Sequence, residues 1–171
     1  MIQRELPIDP KMKKLLFKRP ATSETIKTEV VCPNDTNPMG LLQGGRLVEW
    51  MDIAAAVCAQ THSGKICVTA SINHVDFNAA AKIGDIITIH AKITRAFRTS
   101  MEIFVQAFAR KVLVEKKYLI CEAHFSFVAI DQDEKTSPVI SVKPATTKEK
   151  KAFKEALIRK ESITKKKRQT V

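Results

Sequence analysis

No stretch of the sequence approaches the roughly 18 consecutive apolar residues that a membrane-spanning helix needs. The start, Met1-Ile-Gln-Arg-Glu-Leu-Pro7, carries none of the apolar run of a signal peptide. A cytoplasmic protein with no membrane insertion is therefore expected. Metal-binding patterns are missing as well. Cys32, Cys58, Cys67 and Cys121 form no CxxC pair, and His62, His74, His90 and His124 make no HExxH or Cys/His cluster. Each cysteine sits in an apolar stretch, so buried reduced thiols are expected, and a metal site is not. There is no GxSxG nucleophile elbow, which argues against an α/β-hydrolase.

Acidic residues are scarce, but only at the ends. Residues 1–20 hold six Lys/Arg against two acids, and residues 143–171 hold eleven against three. The stretch between, residues 21–142, has twelve basic and thirteen acidic groups, so the net +11 belongs to the termini and not to the domain. A basic end attracts phosphate non-specifically. No zinc-finger spacing or aromatic RNA-binding signature accompanies it, so a solvated tail is the expectation and a specific nucleic-acid partner is not.

The 171 residues fit one domain with tails: a basic N-terminal arm over 1–20, a domain over 21–142, and a basic C-terminal helix and tail over 143–171. Glu24 to Cys32 reads as a first strand ended by Pro33, and Asn34 to Gly45 as a loop. From Arg46, Leu47, Met51, Ala54/Ala55 and Cys58 recur at helical spacing until His62-Ser-Gly64 supplies a stop. Apolar residues lie on nearly every side of that helix, so most of it should be buried. Strand patterns come next, at Ile66–Phe77, Asp85–Phe97, Met101–Val112 and Tyr118–Ile130. Short breaks at Lys82–Asp85, Arg98–Ser100 and Glu115–Lys117 suit hairpin-like turns and antiparallel pairing. A charged helix over Thr147–Ile163 has Phe153, Ala156, Leu157 and Lys160 in a narrow stripe, fit for a sheet edge or a partner. The Lys165–Arg168 end reads as disordered. One buried helix with one strand before it and four after gives a two-layer α+β domain, its sheet wrapped around the helix.

Within this pattern Asp52 is out of place. It follows Trp50-Met51 and precedes Ile53-Ala-Ala-Ala-Val57, with no Lys or Arg three or four residues away to pair with. Asp is a poor helix-interior residue because its short side chain competes for backbone groups. Ahead of it, Gly44 and Gly45 open the helix, where free backbone N–H groups and the positive end of the helix dipole favour an anion. Asp52 lies two turns further on, on the same side.

Asn37, Gly40, Gly44 and Gly45, followed by Met51-Asp52, resemble the acyl-CoA thioesterases of the hotdog fold, in their acyl-CoA hydrolase branch. Thr69, Val75-Asp-Phe77, Gly84-Asp85, Arg98-Thr-Ser100 and the strand Phe125–Ile130 with Asp131 support the match, which covers roughly Thr22 to Ile130. The resemblance implies a five-stranded antiparallel sheet around one long helix, and hydrolysis of fatty acyl-CoA to free acid and CoA. No metal or cofactor is implied; coenzyme A is part of substrate and product. Asp52 would be general base or nucleophile. Asn37, from the partner subunit, would hold water or the oxyanion, and Thr69 would assist. A homodimer, assembled into a trimer of dimers, is also implied. Gly44 and Gly45 are candidates to meet the substrate with free N–H groups at its oxyanion, and Arg98, Thr99 and Ser100 to hold the CoA phosphate or pantetheine, with Lys82 and Arg95 weaker. A second reading stays open: a non-catalytic acyl-CoA sensor whose basic tail touches nucleic acid or membrane.

Overall fold

Alternation of branched and polar residues builds the sheet. The computed structural model describes residues 17–169, with side chains to 165. In chain order it has β1 (Phe17–Lys18), β2 (Thr25–Val30), α1 (Gly44–Ser63), β3 (Ile66–Phe77), β4 (Ile86–Ala96), β5 (Ser100–Arg110), β6 (Tyr118–Ile130), β7 (Ser141–Val142) and α2 (Thr147–Gln169). Ile87, Ile89, Ala91 and Ile93 on β4 are shut from solvent, as are Met101, Ile103, Val105, Ala107 and Ala109 on β5. Cys121, Ala123, Phe125, Phe127 and Ala129 on β6 are equally buried. The residues between them point to the other face.

The buried face receives α1. Ala54, Ala55, Cys58 and Ala59 share one core with Ala91, Ala107, Ala109 and Ala123. Small side chains on both surfaces let the helix axis approach the sheet closely, and α1 touches all of β2 to β6. Gly64 ends the helix in the left-handed conformation (φ 68°), its N–H donating to Gln60 O at 2.8 Å. This is the stop expected from the sequence. The expected α+β arrangement, one long helix against a five-stranded antiparallel sheet, is the one found. Burial of α1 is less complete than expected, because Ile53 and Val57 remain 43% and 45% exposed on its far side.

Strand order corrects one expectation. The order is β2-β4-β5-β6-β3, so β3 pairs with β6 at an edge and not with β4. Lys82–Asp85 is thus the end of a crossover and not a hairpin turn; the Asp85 carboxylate accepts from Lys82 N at 2.8 Å, and Gly84 (φ 83°) permits the reversal. The other two breaks are hairpins, joining β4 to β5 and β5 to β6. Two short strands escaped the sequence pattern: β1 and β7 pair in parallel, Phe17 with Ser141 and Lys18 with Val142. Two residues carry no readable period. Residues 1–16 of the expected arm lie outside the described residues. Cys32 is exposed and Cys67 half-buried, against the expectation of burial; Cys58 and Cys121 are buried, and all four thiols are free.

The helix α2 lies across the outer face of the sheet rather than along its edge. Ala156 is fully buried there, and Phe153 packs against the core. Arg159 donates to both oxygens of Glu102 at 2.9 and 2.7 Å, and Thr94 Oγ1 donates to the same carboxylate at 2.7 Å. Burial pushes the Glu102 carboxyl up, but Arg159 and Thr94 outweigh it and hold it below the ordinary value. The helix continues through Gln169, so the Lys165–Arg168 segment is helical and not disordered.

His62 is the polar group most deeply built into the core, with Nε2 3.1 Å from Ile140 O and Nδ1 3.4 Å from Ser23 Oγ. Desolvation lowers its pKa despite the Ile140 carbonyl, which favours the imidazolium; nearby Lys18 adds to the lowering.

Both contacts have measurable consequences. Arg159→Ala leaves Glu102 charged and nearly buried without its cation, and should cost about 2–3 kcal/mol in urea unfolding; a change within ~0.5 kcal/mol would mean that α2 is held by apolar contact alone. The second consequence concerns acid. With a folded-state pKa below 6.5, His62 takes up its proton more readily in the unfolded chain. Its contribution to stability is present above about pH 6.5 and is lost as pH falls through the folded value. Thermal scans from pH 7.5 to 5 should show Tm falling more steeply for the wild type than for His62→Gln; parallel slopes would contradict this.

Candidate active site

The loop before α1 is held by backbone bonds as much as by side chains. Asp35, nearly buried, accepts from Cys32 N at 2.9 Å and from Arg46 Nε at 2.8 Å. Gln43 N–H donates to Asp35 O at 2.9 Å, and Leu42 N–H to Ala81 O at 2.9 Å. These bonds fix where α1 begins. Asn37 sits at the far bend of the loop. Its Oδ1 accepts from Met39 N at 3.0 Å and Leu41 N at 3.2 Å, and Gly40 takes φ 71° so the chain can turn back. Both partners of Asn37 Oδ1 are N–H donors, which settles the orientation of the amide. The Nδ2 group meets no acceptor among the described residues, and stays available as a donor.

No side chain caps α1; its N-cap residue is Gln43, whose side chain turns away to Thr36 O at 2.8 Å. The N–H groups of Gly44, Gly45 and Arg46 have no partner among the described residues, as the first turn of a helix dictates. A Cβ on Gly44 would stand 3.2 Å from the Phe77 ring, whereas one on Gly45 would point into open space. Gly44 is thus small because β3 crosses over it. Gly45 leaves room above the free N–H groups.

Asp52 and Thr69 are brought together. Thr69 Oγ1 donates to Asp52 Oδ1 at 2.8 Å, joining α1 to the edge strand β3. Asp52 is half-buried and Thr69 exposed, and among the described residues no cation pairs with the carboxylate. Its second oxygen, Oδ2, is free to accept a proton. On the same side as the pair, Ile53 and Val57 of α1 and Ile72 of β3 are exposed apolar residues.

The other expected site residues lie apart from this pair. Asn37 makes no hydrogen bond to Asp52 or Thr69 within the chain. Seven helical residues separate Gly45 from Asp52, a rise of about 10 Å, whereas one carbonyl oxygen needs its donors within about 3 Å. The free N–H groups and the carboxylate of one chain therefore cannot serve the same carbonyl. Arg98, Thr99 and Ser100 form the β4–β5 turn, at the end of the sheet away from Gly44. Thr99 O and Arg98 O accept from Ala129 N and Val139 N, and Ser100 Oγ accepts from Lys160 Nζ at 3.1 Å. The carbonyls of Arg98 and Thr99 and the Ser100 oxygen thus act as acceptors within the chain, and Arg98 is exposed. Arg95 is likewise drawn under α2, donating to Phe153 O at 2.9 Å. Lys160, unremarked as a site residue, is tied to the same turn, over the Phe97 ring at 3.7 Å.

A cavity of about 510 Å³ lies elsewhere, on the outer face of the sheet under α2, lined among others by His90, Phe104, Phe108 and Lys148. It includes neither Asp52 nor Thr69. Among the described residues, no three His, Cys, Asp or Glu side chains could hold a metal ion together.

Comparison with known proteins places this geometry. The Thioesterase superfamily matches residues 39–116, which include Asp52 and Thr69. The chain is 42% identical over 114 residues to the acetyl-coenzyme A thioesterase of Mus musculus, covering 64% of this chain but only 20% of that protein. It is 33% identical to the acyl-CoA thioester hydrolase YkhA of Bacillus subtilis, over 74% of each. Among solved structures, an apo-hexameric acyl-CoA thioesterase superposes with TM-score 0.84 at 36% identity, covering 87% of this chain and 96% of that one. The acyl-CoA hydrolase of Staphylococcus aureus, in complex with butyryl coenzyme A and coenzyme A, superposes with TM-score 0.83 at 33% identity, covering 90% and 96%. That hydrolase has also been solved with an aspartate, a threonine or an asparagine replaced by alanine. Its asparagine stands fifteen residues before the aspartate, and its threonine seventeen after.

The two glycines give separable predictions. Gly45→Ala should leave Tm unchanged or raised, since Ala favours a helix by up to about 1 kcal/mol; Gly44→Ala should gain less, because the Phe77 ring, 3.2 Å from the added Cβ, must shift to admit it. Equal Tm shifts in thermal scans would contradict this assignment.

Proposed function

The chain belongs to the thioesterase superfamily, and from that premise we propose that it hydrolyses fatty acyl-CoA to free acid and coenzyme A. The hydrogen bond between Thr69 and Asp52 carries this reading. Thr69 occupies Oδ1 and orients the carboxylate, so that Oδ2 can take a proton from an attacking water. The water oxygen adds to the thioester carbonyl, the resulting oxyanion collapses, the C–S bond breaks, and the proton held on Asp52 passes to the leaving sulfur, which releases CoA as the thiol and restores the carboxylate. An oxyanion needs preorganised donors. The unpartnered N–H groups at the start of α1 and Asn37 Nδ2 are such donors.

Because one chain cannot bring its helix start and its carboxylate to the same carbonyl, the complete site needs a second copy. β3 offers it a place: an edge strand of twelve residues, with Ile72 exposed on the face that carries α1 and its exposed Ile53 and Val57. Pairing of two such edges would set Asp52 and Thr69 of one subunit against Asn37 and Gly45 of the other. A homodimer, further assembled as in the hexameric relative, is the form proposed. Support for the three residues comes also from spacing. Asn37, Asp52 and Thr69 stand at the same intervals as the three positions replaced in the Staphylococcus hydrolase.

With the free N–H groups near Gly44 and Gly45 given to the thioester carbonyl, the exposed Arg98 is the proposed contact for the CoA phosphates. Thr99 and Ser100 remain proposed contacts through their hydroxyls, Ser100 Oγ already accepting from Lys160. A non-catalytic acyl-CoA sensor would not need a carboxylate aligned by a hydroxyl with one oxygen left open.

The test is thiol release from acyl-CoAs of graded chain length. Asp52→Ala should lower kcat by about 10²–10⁴, and Asn37→Ala by about 10²–10³; Thr69→Ala should cost less. An inactive wild type, or an active Asp52→Ala, would overturn the enzyme reading. Mixing Asn37→Ala with Asp52→Ala subunits should restore about a quarter of the wild-type rate, since half of the sites in mixed dimers escape both changes. No recovery after verified subunit exchange would place both residues in one chain's site.

A further inference from the structure

The tip of the β5–β6 hairpin is the most exposed apolar feature of the described chain. Leu113 is 96% exposed, with Val112 at 63% and Val114 at 46%. Val114 N–H donates to Lys111 O at 3.1 Å, which closes the turn and gathers the three side chains at its crest. Arg110, Lys111, Lys116 and Lys117 flank them, against the single acid Glu115. None of the four cations has a salt-bridge partner among the described residues. Hairpin tips are normally polar, because water is their only neighbour. Three apolar residues in a row, collared by four cations, have a cost in water and need an occupant.

We propose that this tip docks the protein on an anionic lipid surface, with Val112, Leu113 and Val114 at the headgroup–acyl boundary and the cations among the headgroup phosphates. The surroundings suit it. Val30, Ile86 and Arg110 lie in one row across β2, β4 and β5, so the tip projects from the end of the sheet where Val30 and Ile83 are 50% and 51% exposed. Lys82 is exposed there too. Lysine and arginine stems lie along apolar groups while their heads stay in the polar layer. Near an anionic membrane each such cation strengthens binding by about fivefold.

Other occupants fit less well. A stable contact with a second copy needs about 800 Å² per partner, which three side chains on a projecting turn do not provide. Nucleic acid would engage the cations through phosphates but leave the apolar crest with nothing to bury it. The contact is shallow. No described helix is long and apolar enough to span a bilayer, and the docking does not depend on the hydrolase reading.

Flotation of the full chain with phosphatidylcholine vesicles, with and without phosphatidylglycerol, tests the proposal. The wild type should float only with the anionic vesicles. Val112→Ser with Leu113→Ser should lower the bound fraction at least tenfold at unchanged Tm, as should Lys111→Glu with Lys116→Glu. Replacing Lys165, Lys166 and Lys167 by serine should leave this dependence on the tip in place. In Leu113→Trp, the added fluorescence should shift to the blue and be quenched by brominated lipid. Absence of binding by the wild type would overturn the proposal. So would full binding by the Val112/Leu113 variant, which would assign adhesion to the basic tail. A change in that variant's molecular mass in solution would also overturn it, making the tip a contact between copies.

Discussion

The close approach of α1 to the sheet, alanine against alanine, sets the geometry of the whole subunit. Larger residues at Ala54, Ala55 or Ala59 would lift the helix off β4 and β5, and every other distance would change. The approach also fixes the rotation of the helix about its axis. With Met51, Ala55 and Cys58 turned into the sheet, Asp52 is rotated about 100° from Met51. That leaves it at the border between core and surface, facing β3. The meeting of Asp52 with Thr69 is thus a consequence of core packing. A carboxylate one position later, at Ile53, would have met solvent, and one position earlier than Met51, at Trp50, would have met the core.

This explains why the fold was more legible than the site. Strands β4, β5 and β6 declare themselves because Ile, Val and Phe alternate with polar residues, and a period of two survives without tertiary information. Gly64 declares the helix end because few other residues tolerate its backbone conformation. Strand order is different. The Lys82–Asp85 turn looks the same locally whether β4 returns along β3 or crosses to the far side of the sheet, and only the choice of neighbour decides. The pair β1 and β7 is too short for any period. The reach of α2 through Lys165–Arg168 was hidden by like charges that read as a repelling tail.

For the site, the resemblance supplied roles and the structure supplied relations. Asp52 was conspicuous as an acid in an apolar helix, but nothing in the sequence aims Thr69 at it. Gly44 and Gly45 look equivalent as letters, yet one is small for Phe77 and the other opens outward. Arg98, Thr99 and Ser100 looked like a phosphate turn. Their neighbours Val139 and Lys160 come from far along the chain, and no local pattern shows that they donate to this turn. The basic C-terminal region also divides. Arg159 and Lys160 fasten α2 to the sheet, so part of the positive charge that seemed a solvated tail is structural.

The geometry of α1 then imposes a requirement on the proposed chemistry. Thioester hydrolysis asks for a base and for oxyanion donors on one carbonyl, and a single helix holds its two candidates about 10 Å apart along its axis. Bending the helix to close that gap would break the packing that positions Asp52 in the first place. The conflict disappears when the donors of one helix face the carboxylate of another. The exposed edge of β3 and the bare Ile53 and Val57 lie beside the half that needs completing. Association is then part of how the proposed site is built: the packing that makes a rigid subunit also leaves that subunit with half of the chemistry.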